Sequence, residues 1–125
     1  MTNSPSIVAV VENDTALLTA LDRLLRAHGY HAEVYGSAES FLERQSATRI
    51  TCLILDIDLD GISGLELQKT LVGTGCAPPI VFITGHGEAH SMRQAQEMGC
   101  IAYLIKPFES RQLIQALHQA IQKAE

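Results

Sequence analysis

Five side chains stand where runs of apolar residues give way to polar ones. Glu12 and Asn13 follow Ile7–Val11, Asp56 follows Cys52–Leu55, Thr84 follows Ile80–Ile83, and Lys106 follows Ile101–Ile105. Two carboxylates, a hydroxyl and an ammonium around one cleft suit a divalent metal together with a phosphoryl group. Carboxylates hold Mg2+ through one or two oxygens and leave waters in place. Lysine offers a mobile point charge for phosphate. All of this requires four separate segments to end at the same edge.

The elements between these residues meet that requirement. Ile7–Val11 is a continuous apolar run, as expected for a parallel strand buried on both faces. Leu17, Leu18, Leu21, Leu24 and Leu25 recur at helical spacing until Gly29 stops them, and this stripe reads as core packing. His31–Tyr35 alternates like a more exposed edge strand. Ser37 reads as the N-cap of a short helix through Phe41 and Leu42. Cys52–Leu55 is a second buried strand. Gly61 and Gly64 mark a turn before a helix through Leu65, Leu67 and Leu71. Pro78-Pro79 breaks the chain ahead of the strand Ile80–Ile83. Gly85-His86-Gly87 turns it into a helix over Ala89–Met98 whose apolar face is thin: Ala89, Met92, Ala95 and Met98. Ile101–Ile105 is the last strand, and the final helix carries Leu113, Ile114, Leu117 and Ile121 on one face. Five strands alternating with five helices predict an α/β fold, a parallel sheet with helices on both sides joined by right-handed crossovers. In the strand order 2-1-3-4-5, the first and third strands flank the point where ligands bind. Glu12-Asn13 and Asp56 would then face each other across the crevice, with Thr84 and Lys106 along the same rim.

The bulk properties narrow the field. The 125 residues fit one domain, 1–125, with a core of about 7–121, and 46% hydrophobic residues supply that core without a metal or disulfide staple. Net charge is −5, and the nine Lys and Arg are scattered, so direct nucleic-acid binding by this chain is not expected. The three cysteines, Cys52, Cys76 and Cys100, form no C-x-x-C and support neither disulfide nor zinc. Cys52 reads as a small buried hydrophobe. Met1–Ser6 lacks the layout of a signal peptide, and no apolar run approaches a membrane span. The expected setting is the cytoplasm.

Val10-Val11-Glu12-Asn13, Leu53-Ile54-Leu55-Asp56, Gly61-Ile62-Ser63-Gly64, Ile83-Thr84-Gly85 and Lys106-Pro107-Phe108 resemble the five signature blocks of two-component response-regulator receiver domains. The resemblance runs from Ile7 to Ile121. Ser37-Ala38 with Phe41-Leu42, and Thr84-Gly85-His86-Gly87, resemble the branch with LuxR-type helix-turn-helix output. The resemblance implies the flavodoxin-like receiver fold and a phosphorelay function. Asp56 would be the phosphoacceptor for the phosphohistidine of a sensor histidine kinase or phosphotransfer protein. Glu12, Asn13, Asp56 and the backbone carbonyl of Asp58 would hold Mg2+. Lys106 and Thr84 would contact the phosphoryl oxygens, and Tyr103 would turn inward when Thr84 moves. The Lys106-Pro107 bond would be cis, which X-Pro bonds tolerate at modest cost. Such a domain is not an enzyme beyond assisting its own phosphoryl transfer and dephosphorylation. It switches its fourth-helix, fifth-strand and fifth-helix face to control an output domain or partner, with homodimerisation on phosphorylation as one outcome.

The chain also departs from the pattern. Neutral Asn13 stands where a second acidic residue is usual, which predicts weaker Mg2+ binding and slower phosphorylation. Asp14 could compensate but reads better as the cap of the first helix. Asp60 replaces a frequent proline, which would loosen its loop. Ala102 replaces an acidic residue that one branch uses in dimer salt bridges, which disfavours that dimer mode.

Three other readings compete. A phosphorylation-independent receiver acting as a protein-interaction module draws support from Asn13 and is opposed by the retained Asp56, Thr84 and Lys106. A small flavin-binding or phosphatase-like enzyme on a similar fold is another, of which a flavodoxin-type protein would want a Ser/Thr-rich phosphate loop where Glu12-Asn13-Asp14 is acidic. A dinucleotide loop at Gly85-His86-Gly87 lacks its third glycine, His90 taking that place. His86 and His90 could suggest metal binding, against the plainer reading of a solvated helix start, and His86 is instead a candidate to flank the phosphoryl group and tune its hydrolysis.

Overall fold

The computed structural model describes residues 7–44, 49–85 and 87–124. The elements alternate along the chain as β1 (Ile7–Val11), α1 (Thr15–Ala27), β2 (His31–Tyr35), α2 (Ala38–Leu42), β3 (Ile50–Asp56), α3 (Gly64–Gly73), β4 (Ile80–Thr84), α4 (Ala89–Glu97), β5 (Ala102–Ile105) and α5 (Ser110–Ala124). The five strands form one parallel sheet in the order β2-β1-β3-β4-β5. The fold class and strand order are as the sequence predicts.

β1 and β4 are buried at every position, as continuous Ile/Val runs in the middle of a two-faced sheet must be. β2 lies at the edge and is more exposed than the inner strands, with His31 and Val34 exposed and Ala32, Glu33 and Tyr35 half-buried, without the strict alternation the sequence predicts. Alternate strand residues feed two core layers. Val8, Val10, Cys52, Ile54, Val81 and Ile83 face α1 and α5, where they meet Leu21, Leu25, Leu113 and Leu117. Ala9, Val11, Leu53, Leu55 and Phe82 face the other side, with Phe41, Leu67 and Ala95 from α2, α3 and α4. Leu17, Leu18 and Leu24 of the expected α1 stripe are half-buried around the first layer.

Both expected caps form. Asp14 accepts from the amides of Ala16 and Leu17, and Ser37 accepts from that of Ser40. Three boundaries move by a residue or two. β3 begins at Ile50, where Thr51 Oγ1 bonds the Ile7 carbonyl at 3.0 Å, a polar strand entry that apolar pattern does not reveal. Met98 caps α4 instead of ending it, because Gly99 turns the backbone at φ +94°. β5 begins at Ala102, although Ile101 N still bonds the Ile80 carbonyl at 2.8 Å.

Cys52 is fully buried and its thiol is pushed up to about 12 by burial, so it packs as a hydrophobe. All three cysteines are free. Among the described residues no helix is long and apolar enough to cross a membrane.

Candidate functional site

The parallel register sets the C-terminal ends of β1, β3, β4 and β5 along one edge of the sheet. Val11 lies opposite Leu55, Asp56 opposite Ile83, and Thr84 opposite Ile105. The polar residue that ends each strand is therefore delivered to one rim. Glu12, Asp56 and Thr84 are 0%, 2% and 1% exposed, an unusual burial for such groups.

Their contacts form a linked set. Lys106 Nζ sits 2.7 Å from Glu12 Oε1 and 3.1 Å from Asp56 Oδ2, between the two carboxylates. The first contact is an ion pair without hydrogen-bond alignment, and Glu12 Oε1 has no hydrogen-bond donor. Glu12 Oε2 accepts from the amide of Asp14 at 3.0 Å. Asp56 Oδ1 accepts from the amide of Asp58 at 2.9 Å. Thr84 Oγ1 donates to the carboxylate of Asp58 at 3.0 Å. The amide of Lys106 bonds the Thr84 carbonyl at 2.7 Å, and the Lys106-Pro107 peptide is cis. Tyr103 is half-buried, with its ring 6.2 Å from that of Phe82 and its hydroxyl buried without a hydrogen-bond partner.

The charge balance is strained. Burial raises the Asp56 carboxyl to about 6, and the neighbouring Glu12 adds to the rise against the pull of the Asp58 amide and Lys106. Burial alone would lower Lys106, but Glu12 and Asp56 hold its ammonium above the ordinary lysine value. Two buried carboxylates against one ammonium leave the pocket short of positive charge. Its oxygen donors suit a hard cation such as Mg2+, which takes few protein ligands and keeps waters and phosphate oxygens. Among the described residues no three His, Cys, Asp or Glu side chains converge into a complete metal cage.

The fold thus gathers Glu12, Asp56 and Lys106 in direct contact and places Thr84 and Asp58 beside them. Asn13 is exposed at the edge of the rim, and its amide contacts Asp60 instead of the buried carboxylates. Asp14 does not enter the pocket, because its carboxylate caps α1. His86 lies outside the described residues.

Sequence reasoning missed two parts. The Asp58 side chain holds the Thr84 hydroxyl, whereas the resemblance pointed only to its carbonyl. Glu39 of α2 crosses to the loop between β3 and α3, where its carboxylate accepts from the Ile62 amide at 3.1 Å and packs over Gly61. Gly61, at φ +75°, also needs glycine for its backbone. A Cβ at Gly64 would collide with the backbone of Asp56 and Ile57, so α3 can start tight against the end of β3. Neither a loop carboxylate such as Asp58 nor a single one in the first turn of a short helix such as Glu39 carries a periodic signal that could have revealed these roles.

Two cavities bracket the sheet. A groove of about 530 Å3 opens beside Lys106, between Leu17, Leu21 and Leu24 of α1 and Phe108 after β5. A larger one of about 760 Å3 lies by Pro78, Pro79 and Gln68 at the opposite edge and is lined by none of the rim residues.

Residues 8–118 match the family model for the response regulator receiver domain. The chain is 35% identical over 124 residues to the response regulator protein TmoT of Ectopseudomonas mendocina, covering 99% of this chain and 56% of the relative. It is 30% identical over 118 residues to the transcriptional regulatory protein FixJ of Bradyrhizobium diazoefficiens, covering 94% of this chain and 58% of that one. Among solved structures it resembles the response regulator StyR, with a TM-score of 0.89, 38% identity, and coverage of 96% of this chain and 61% of that one. The chain spans about half the length of the curated relatives it matches.

Proposed function

The chain belongs to the family of response regulator receiver domains, and from that premise we propose that Asp56 accepts a phosphoryl group in two-component signal transduction. The donor is the phosphohistidine of a sensor histidine kinase or a phosphotransfer protein. The observation that carries this reading is the buried Asp56 at the end of β3, with Lys106 on one oxygen and the Asp58 amide on the other.

As the P–N bond of the donor breaks, a P–O bond to the Asp56 carboxylate forms, and the leaving imidazole takes a proton. Such transfer depends on alignment and on charge stabilisation of the phosphoryl oxygens. Glu12, Asn13, Asp56 and the backbone carbonyl of Asp58 would hold Mg2+, which supplies positive charge against those oxygens. Lys106, on a long mobile stem, exchanges its contacts with Glu12 and Asp56 for one phosphoryl oxygen. Thr84 exchanges Asp58 for another. The apolar groove beside Lys106 is where the donor protein docks.

The new phosphoryl group adds charge and acceptor oxygens at one point. Movement of Thr84 lets Tyr103 shift, and α4 follows as the bistable element. The α4-β5-α5 face then controls an output domain of LuxR type, a partner or a second copy of the chain. A fraction of the active form exists before phosphorylation, because the change is a population shift. On this reading the domain acts in the cytoplasm, leaves DNA contact to its output, and is no enzyme beyond aiding its own phosphoryl transfer and loss.

Intact mass after incubation with acetyl phosphate and Mg2+ tests the proposal. The wild type should gain one phosphoryl group and Asp56→Asn none. No gain by the wild type, together with no response to beryllofluoride, would favour a phosphorylation-independent interaction module, the reading Asn13 supports.

A further inference from the structure

Asn13 and Asp60 are both departures from the receiver pattern, and they stand far apart in sequence. The fold brings them together: Asn13 Nδ2 donates to Asp60 Oδ2 at 3.4 Å across a separation of 47 residues. This long, exposed contact adds little to stability. Nor is Asp60 needed to hold its loop, which is fixed at four other places. The Asp58 amide bonds Asp56, Leu59 and Gly64 amides bond the Ile57 carbonyl, and the Ile62 amide bonds Glu39. A structural role is therefore already filled by other residues.

What the pair changes is the rim of the pocket. With its NH2 end on Asp60, Asn13 leaves its carbonyl oxygen, the end able to coordinate a cation, outside that contact. Asp60 also brings to this position the negative charge that Asn13 lacks. We propose that Asp60 is a positioning residue for Mg2+, orienting the Asn13 amide and restoring the missing acidic charge from the neighbouring loop. The division of labour resembles other metal sites, in which an outer carboxylate fixes the orientation of an inner ligand. The assignment rests on the receiver reading above and deepens its metal site.

The two positions then cannot act independently. Replacing Asn13 by Asp places a second carboxylate against Asp60, so the two repel and the added charge is partly redundant. The same change in a chain lacking the Asp60 charge gains its full effect.

Mg2+ titrations followed by amide chemical shifts, without any phosphodonor, read this directly for four proteins: wild type, Asp60→Asn, Asn13→Asp and the double variant. Asp60→Asn keeps an acceptor for Asn13 and removes only the charge. Its Mg2+ affinity should fall about threefold to tenfold, the size expected for one charge acting on a divalent ion across several ångströms of mostly aqueous medium. Asn13→Asp should strengthen binding less than about threefold in the wild-type background and at least about tenfold in the Asp60→Asn background, a non-additivity that marks direct coupling. Equal affinities of wild type and Asp60→Asn, or the same gain from Asn13→Asp in both backgrounds, would overturn the assignment while leaving the receiver reading intact. A wild type that takes up no Mg2+ at tens of millimolar overturns both the assignment and the metal dependence beneath it.

Discussion

The helices on either side of β5 are held to the sheet very differently. α5 sinks Leu113, Ala116, Leu117 and Ala120 into one core layer. α4 buries Ala95 alone, and Glu88 at its N-cap gives no side-chain hydrogen bond. Among side chains, Gln68 of α3 adds one buried bond to it, from Nε2 to the Ala95 carbonyl at 3.1 Å. Burial stabilises at roughly 25 cal/mol per Å2 of apolar area, so α4 is the less costly helix to displace. It is also the helix that joins Thr84 to the strand carrying Tyr103. The Asp56 end of β3, the proposed phosphoacceptor, is fixed by a deep core, while the segment that would relay its state is loosely attached. Regions that must move are drawn from the weakly held parts of a fold.

The sharpest way to break this comparison is to truncate one large apolar side chain on each helix. Leu117→Ala on α5 should cost about 2–5 kcal/mol, as a fully buried leucine leaves a cavity. Met92→Ala on α4, half-buried, should cost below about 1 kcal/mol. Urea unfolding of the two variants measures both, and equal losses would remove the distinction.

The next effect lies at β3, where the two regions meet. Asp56 has a native value of about 6 against 3.8 when unfolded, so the native state holds its proton more tightly. The stability this group contributes therefore falls as pH rises from about 4 to 6, and the full deficit persists above that range. In metal-free protein, Asp56→Asn should be more stable than wild type by on the order of 2–3 kcal/mol at pH 7.5, with the gain vanishing only below about pH 3, under the unfolded value. Thermal unfolding at the two pH values checks this, and a gain that does not depend on pH would remove the strained carboxylate from the account.

The smallest effect concerns the loose side itself. The Asp58 carboxylate holds the Thr84 hydroxyl in the resting arrangement. Replacing a charged acceptor by a neutral one in Asp58→Asn should weaken that hold by about 1 kcal/mol. At saturating Mg2+, affinity for beryllofluoride should then rise about fivefold. Unchanged affinity would mean the contact does not restrain the switch.

The amino-acid sequence by itself determined the strands, the helices and their order, because apolar periodicity is a local property that each segment displays alone. It also placed Glu12, Asp56, Thr84 and Lys106 at strand ends, since each directly follows such a segment. Even the thinness of α4 was legible, from a face whose largest residues are Met92 and Met98. Only the tertiary structure decided which of these groups touch. Lys106 between Glu12 and Asp56, Thr84 on Asp58, Glu39 over Gly61 and Asn13 on Asp60 each join residues from different elements. The reason is physical: a carboxylate in a polar loop has no period and several possible partners, and its choice among them is fixed by how neighbouring strands align and how loops close over their ends.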